Sequence, residues 1–300
     1  MPALTCLPNF LQRDNSMRTF VFLLMAVFSL NAAAQKSLLV SIHPVALLIK
    51  SAWPQLEVNA LVPVNQSPHD YSLKPSDRRK LAQADFVIWL GPDFEPYLSK
   101  LMSQSAKSIR LDSLVPKEHE AENHESGHHE LGHHADHKEE AHDPHLWLQP
   151  DLIPALLSHI QTQLKLDTPT DFLTAYHRQL KKAQTLLSQN KQKGFVSYHD
   201  AFHHWVKYFE LNQLAVLTLN PEKPAGTRHV IEVRKILESG HAACLFIEPQ
   251  FKSRLLKKLS QGLDVKQVLV DPMASDFALT DANFLGFYSN LVKQFEACLK

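Results

Sequence analysis

Three histidines sit where turns and strand ends would present them. His69 lies in Ser67-Pro68-His69-Asp70-Tyr71, His145 in Asp143-Pro144-His145-Leu146-Trp147, and His199 closes Phe195-Val196-Ser197-Tyr198-His199. Asp271 follows Val268-Leu269-Val270 and precedes Pro272. Three imidazoles and one carboxylate form a ligand set suited to Zn²⁺, roughly tetrahedral with bonds of about 2.0–2.2 Å. Mn²⁺ would call for more oxygen ligands. Imidazole must be neutral to ligate, and an ordinary pKa near 6.5 supplies that form at neutral pH. Taken singly, each residue is ambiguous. A strand-end histidine is more often hydrogen-bonded structure than a ligand, and an aspartate before proline can simply cap a turn.

A second feature shifts that balance. Residues 117–142 read KEHEAENHESGHHELGHHADHKEEAH and carry His119, His124, His128, His129, His133, His134, His137 and His142. With almost nothing apolar to bury, this stretch is expected to be a mobile, disordered loop. Its imidazoles and interleaved carboxylates form an auxiliary zinc-binding tract with less geometric control than a rigid site; the alternative is a solvated linker of biased composition. The tract also contains the H-E-x-x-H pattern twice, as His124-Glu125-Ser126-Gly127-His128 and His129-Glu130-Leu131-Gly132-His133. Zinc proteases carry that motif on a packed helix with a third ligand and an open water position. A polar, glycine-containing tract offers none of these, so the repetition reflects composition. A secreted zinc metallohydrolase using Glu130 is therefore the weaker alternative, and no catalytic residues are assigned. The sequence has no nucleophile elbow, P-loop or dinucleotide fingerprint, so hydrolase, NTPase and dinucleotide readings lack support.

The elements that must position these residues alternate. Leu38 to Ile42, Leu56 to Val62 and Phe86 to Leu90 read as strands, with helices over Val45 to Ala52 and Pro75 to Ala84. After the tract, a helix runs from about Pro150 to Leu166. A long helix follows, with Thr168 as cap and Pro169 in its first turn, and Phe172, Tyr176, Leu180, Ala183 and Leu187 at helical spacing. Strands at Phe195 to Tyr198, Leu214 to Leu219, Cys244 to Ile247 and Val265 to Val270 then alternate with helices over Arg228 to Glu238, Phe251 to Leu259 and Asp281 to Leu299. This pattern predicts an α/β fold of two lobes, each a mainly parallel sheet flanked by helices. The long helix joins them. The expected organisation is a signal peptide over 1–34, an N-terminal lobe over 35–150, a helical linker region over 151–193 and a C-terminal lobe over 194–300. Ligands of open α/β sheets bind beyond the carboxyl ends of the strands, so two facing lobes would turn all four candidate ligands toward one crevice.

The first residues imply export. Phe20 to Leu30 (FVFLLMAVFSL) is an uncharged apolar run preceded by Arg13 and Arg18 and followed by Ala32 and Ala34 at the spacing of a cleavage site. The run is short for a permanent span of a ~30 Å hydrocarbon core. Cleavage after Ala34 is expected, and Met17 offers a more compact start. Cys6 would be lost with the signal, leaving Cys244 and Cys298. In an oxidising compartment this pair is either a bridge or two buried thiols. The 31 basic and 31 acidic residues balance, which gives no reason to expect a nucleic-acid partner.

At these residues the sequence resembles the periplasmic zinc-binding components of high-affinity zinc ABC transporters (the ZnuA type of metal-binding solute-binding protein). The likeness covers nearly the whole mature chain. It is carried by Ser67 to Asp77, Asp143 to Leu148, Tyr198-His199-Asp200-Ala201-Phe202, Glu248-Pro249-Gln250-Phe251 and Val270-Asp271-Pro272. A histidine- and acid-rich insertion before the second ligand belongs to the same pattern. The resemblance implies two α/β lobes on one rigid helix and Zn²⁺ held by His69, His145 and His199. It also implies a Cys244–Cys298 disulfide, periplasmic location, a monomer, and transient delivery of the ion to a membrane zinc ABC permease. Manganese-binding relatives typically carry a carboxylate in place of His199. Some zinc members have Glu before the first ligand where this chain has Pro68, which leaves the fourth position to Asp271 or water, with Asp271 favoured. A zinc buffer without a transporter is the other alternative.

Overall fold

Apolar β-branched and aromatic runs at strand positions build two similar sheets. The structure is a computed structural model that describes residues 36–115, 143–221, 223, 225–251 and 254–300. The expected signal segment, with Cys6, and the auxiliary histidines His119 to His142 lie outside the described residues. In the first lobe, β1 (Ser37–Val40), β2 (Glu57–Ala60), β3 (Phe86–Trp89) and β4 (Ser108–Arg110) pair in parallel in the order β2-β1-β3-β4. Helices α1 (His43–Ala52), α2 (Pro75–Gln83) and α3 (Pro96–Met102) make the crossovers. Each has proline in its first turn, where the missing N–H is no loss and the fixed φ suits the helix.

Helices α4 (Ile153–Leu164) and α5 (Thr170–Ser188) lead to the second lobe. There β5 (Gly194–His199), β6 (Asn212–Thr218), β7 (Ala242–Ile247) and β8 (Lys266–Leu269) repeat the topology as β6-β5-β7-β8, again all parallel. Around them lie α6 (His203–Phe209), α7 (Thr227–Glu238), α8 (Arg254–Ser260) and α9 (Phe284–Leu299). The identical strand order places a topological switch point between β1 and β3 in one lobe and between β5 and β7 in the other. Ligands gather at the carboxyl ends of such strands.

The long helix α5 buries Phe172, Tyr176, Leu180, Ala183 and Leu187, the stripe its 3.6-residue period requires. At 19 residues and 1.5 Å per residue it spans about 28 Å. It packs along α9, with Phe172 6.3 Å from Phe284 and Tyr176 5.6 Å from Tyr288. Gln179 Nε2 donates to Leu285 O at 2.6 Å. One apolar core runs from β1 to α9, centred on Tyr176, Trp147, Trp205, Tyr288 and Phe295. Trp147 Nε1 donates to Pro272 O at 2.8 Å, and Tyr288 OH to Trp147 O at 2.7 Å, so the 143–149 segment is fastened to the second lobe. Cys244 on β7 and Cys298 on α9 form a disulfide, Cα–Cα 5.5 Å, which decides between bridge and free thiols.

Three local expectations are corrected. Thr168 does not cap α5. Pro169 stands at the cap, and the Thr168 hydroxyl instead accepts from Gln161 Nε2 at 3.0 Å. The final helix starts at Phe284, because Leu279–Asp281 forms a separate 3₁₀ turn and the Asn283 side chain caps the helix by accepting from Gly286 N at 2.8 Å. Helix α8 starts at Arg254, three residues beyond Phe251. No helix among the described residues is long and apolar enough to cross a membrane.

Candidate metal centre

The three histidines stand at or beyond the ends of regular elements. His69 lies in the connection from β2 to α2, His145 just before the 3₁₀ turn Leu146–Leu148, and His199 is the last residue of β5. Their ring centroids stand 5.3 Å (His69–His145), 5.0 Å (His69–His199) and 5.1 Å (His145–His199) apart. One nitrogen from each lies within 4.8 Å of the other two. Tetrahedral ligands on one zinc stand about 3.3 Å from each other at ordinary bond lengths, so small ring rotations bring three nitrogens onto one ion.

For His145 and His199 the other ring nitrogen is held by a carboxylate. Asp143 Oδ1 accepts from His145 N at 3.0 Å and lies 2.6 Å from His145 Nδ1. Glu248, directly after β7, lies 3.3 Å from His199 Nδ1. The β5–β7 register explains this pair: Ser197 stands opposite Phe246, so two residues further each strand delivers His199 and Glu248 side by side. A carboxylate on Nδ1 fixes that nitrogen as the N–H and turns Nε2 toward the ion. His199 Nε2 is buried and makes no hydrogen bond among the described residues. A buried orphan of this kind calls for an occupant. His204 extends the support, donating from Nε2 to Asp143 O at 2.8 Å.

Electrostatics keep the centre ready for a cation. Burial, together with the neighbouring His145 and His199, pushes His69 down to about 2, so its ring stays neutral. Burial opposes ionisation of Asp143, but His145, by charge and hydrogen bond, and then His204 outweigh it and hold the carboxyl at about 2. Asp200 is pushed up by its own burial and by the Asp143 carboxylate. Around the imidazoles stand Phe94, 4.8 Å from His69 and 5.4 Å from His145, Trp147, 5.2 Å from His145, and Phe251, 5.7 Å from His199. The cavity they line is about 10 Å³, room for one water-sized occupant. Organic ligands need pockets of about 300–1,000 Å³.

Asp271, expected beside the histidines, is not in the group. Its Oδ1 accepts from Gln250 Nε2 at 2.7 Å and Met273 N at 2.9 Å, and its Oδ2 from Ser275 N at 2.6 Å. It caps the turn after β8. The turn in turn reaches the first lobe, where Ser275 Oγ donates to Val64 O at 3.1 Å and His43 Nε2 donates to Phe277 O at 2.6 Å. The supporting roles of Asp143 and Glu248, which hold ring nitrogens, and of Phe94, which packs on the rings, do not show in the ligand pattern of the sequence. Asp143-Pro144-His145 is an Asx-type turn signal, whereas Glu248 becomes recognisable only through strand register.

Fold and site together define a two-lobed α/β solute-binding fold with a candidate metal centre of three histidines between its lobes. The chain belongs to the family of periplasmic zinc-uptake complex component A, whose model matches residues 38–298. It is 33% identical to the high-affinity zinc uptake system protein ZnuA of Yersinia pestis, over 95% of this chain and 97% of that protein. It is 30% identical to its namesake in Haemophilus ducreyi, over 92% and 97%. The fold is also that of a zinc-bound ZnuA deletion mutant, at TM-score 0.68 and 21% identity, covering 89% of this chain and 98% of that one.

Proposed function

We propose that this chain is an exported zinc carrier. It takes up one Zn²⁺ on His69, His145 and His199 between its lobes and delivers it to a membrane zinc ABC permease; it is not an enzyme. The observation that carries the reading is the convergence of three imidazoles from separate stretches of chain, two of them with Nδ1 held by a carboxylate. Three neutral nitrogens on a d¹⁰ ion make a stable partial shell, and a water completes the tetrahedron. Asp271 stays on its backbone amides, whose loss would leave buried N–H groups unpaired. The water-sized cavity of about 10 Å³ suits an ion as cargo rather than an organic substrate. His69 comes with the first lobe and His199 with the second, and the His145 segment is tied to the second lobe through Trp147 and Asp143, so parting the lobes on a permease withdraws His69, dismantles the ligand set and frees the ion. The proposed organisation keeps residues 1–34 as a cleaved signal, 35–150 and 194–300 as lobes and 151–193 as the linker region. The tract of His119 to His142 gathers zinc near the centre.

The test combines chemistry and physiology. Purified mature protein should retain one Zn²⁺ per chain against a strong chelator, and the His69→Ala, His145→Ala and His199→Ala proteins should not. In a strain lacking the gene, zinc-limited growth should be restored by wild type only while the neighbouring transporter is present. Rescue without any transporter would point to a buffer instead.

A further inference from the structure

The turn from β3 into α3 contains a carboxylate that the zinc site does not use. Glu95 is fully buried. Its Oε2 accepts from Leu90 N at 2.7 Å, and its own N–H donates to Gly91 O at 2.9 Å. The side chain therefore folds back on the end of β3 and closes the turn of residues 90–95. From the other side Asp112 N donates to Leu90 O at 3.0 Å. At Gly91, with φ +128°, the Asp112 carboxylate occupies the place a Cβ would take. The residue pinned between these supports is Phe94, 2% exposed, whose ring lies against His69, His145 and Trp147.

We propose that Glu95 is a positioning residue for the metal centre: its carboxylate sets the 90–95 turn so that Phe94 closes one wall over His69 and His145. The inference rests on the reading of those histidines as zinc ligands. Phe94 excludes water from the ion and fixes the plane of two imidazoles, and both effects slow release. A hydrogen bond to an ionised carboxylate is about twice as strong as one to a neutral group, so the turn is held most firmly when Glu95 is charged. Glu95 lies at the β1–β3 switch point. The Ser41 hydroxyl at the end of β1 faces it, Asp112 faces it from beyond β4 while paired with Arg110, and Tyr97 faces it from α3. Burial, reinforced by the Asp112 charge, pushes Glu95 up to about 7, against the pull of Ser41 and the Leu90 and Gly91 N–H groups. Its charge thus changes across neutral pH. A glutamine in the same place would accept the Leu90 bond without titrating.

The experiment measures zinc release from the loaded full-length chain into excess chromophoric chelator by stopped flow, from pH 6 to 8. The phase that counts is the one-per-chain phase abolished by His69→Ala. Glu95→Gln should release zinc about tenfold faster at pH 8, the low end of the cost of losing an outer support of a metal site. It should also show a smaller ratio between its rates at pH 6 and pH 8 than wild type. Phe94→Leu should speed release similarly, and the double variant should be no faster than Phe94→Leu alone, because coupled residues are non-additive. Ser41→Ala, which keeps Glu95 but removes a group favouring its charge, should move the acceleration to higher pH. A wild-type rate and pH ratio in Glu95→Gln, or multiplying effects in the double variant, overturns the proposal. If Glu95→Gln does not fold, an unchanged pH profile in Ser41→Ala overturns it. Persistence of the phase in His69→Ala overturns the metal-site reading and this inference with it, whereas a phase lost in His69→Ala but untouched in Glu95→Gln removes only the role of Glu95.

Discussion

Replacing Asp143 separates holding a ligand from being one. Its carboxylate touches no proposed position of the ion. Instead it lies 2.6 Å from His145 Nδ1 and is 8% exposed. The amide introduced by Asp143→Asn still offers an oxygen to the Nδ1–H, so the tautomer is kept and only the charge is lost. Asp143→Ala loses both. Removing outer partners of a metal-bound histidine costs about 10–100-fold in affinity, so Asp143→Asn should weaken zinc binding about tenfold and Asp143→Ala about a hundredfold. These are roughly 1.4 and 2.7 kcal/mol. The apo protein should feel the change too. A carboxyl held at about 2 rather than 3.8 contributes roughly 2 kcal/mol of stability. That contribution is complete above pH 3.8 and is lost as pH falls through about 2, so both variants should unfold at lower denaturant at pH 7 and converge with wild type near pH 2. Affinity is read by competition with a chelator of known strength at pH 7.5, with zinc limiting so that the tightest site fills first. Affinities of both variants within twofold of wild type, with His145→Ala still defective, would refute the orienting role.

Four further outcomes are expected. Cys298→Ser removes a bridge with sequence separation 54, worth about 4 kcal/mol in the chain-entropy model, and calorimetry should show Tm lower by roughly 8–15 °C. Gly91→Ala must adopt a φ of +128° with its Cβ 2.3 Å from the Asp112 carboxyl carbon; urea unfolding should register at least about 1–3 kcal/mol of destabilisation. Glu95→Gln should gain stability at pH 8. A folded-state pKa raised from 4.5 to about 7 makes stability fall as pH climbs from about 4.5 to about 7, by roughly 3 kcal/mol in all, and the pH dependence of Tm should flatten accordingly. Because burial holds His69 far below its usual range, the metal-free protein should lose stability as pH drops below about 6.5, where the unfolded imidazole takes up a proton and the folded one does not. Zinc loading should widen the stability gap to the apo form at pH 7.

The strands that carry the site were legible because parallel, buried strands are nearly continuous apolar runs, as in Phe195 to Tyr198 and Phe86 to Leu90. Phe86 to Leu90 met Gly91 where it ended, and Cys244 to Ile247 met Glu248. Three short elements were not read: α3, β4 and α6, of 7, 3 and 7 residues. None is long enough to show a period, and β4 exists only because it pairs with β3. His199 followed from the rule that strand ends face the crevice, whereas His69 and His145, in connections, gained weight from the histidine-rich tract and the export signal. Asp271 obeyed the same rule and was nonetheless claimed by backbone amides two and four residues further on, a competition that spacing does not reveal. Glu248 and Phe94 are positioned by register and by a turn from another element, so their roles depend on tertiary contacts.

The central claim is that His69, His145 and His199 share one zinc ion. Crystals of the zinc-loaded chain, measured on both sides of the zinc absorption edge, test it most directly. One dominant anomalous peak is expected about 2.0–2.2 Å from a nitrogen of each ring, with Asp271 still bound to Met273 and Ser275. Strong peaks elsewhere on the chain and none among the three imidazoles would contradict it.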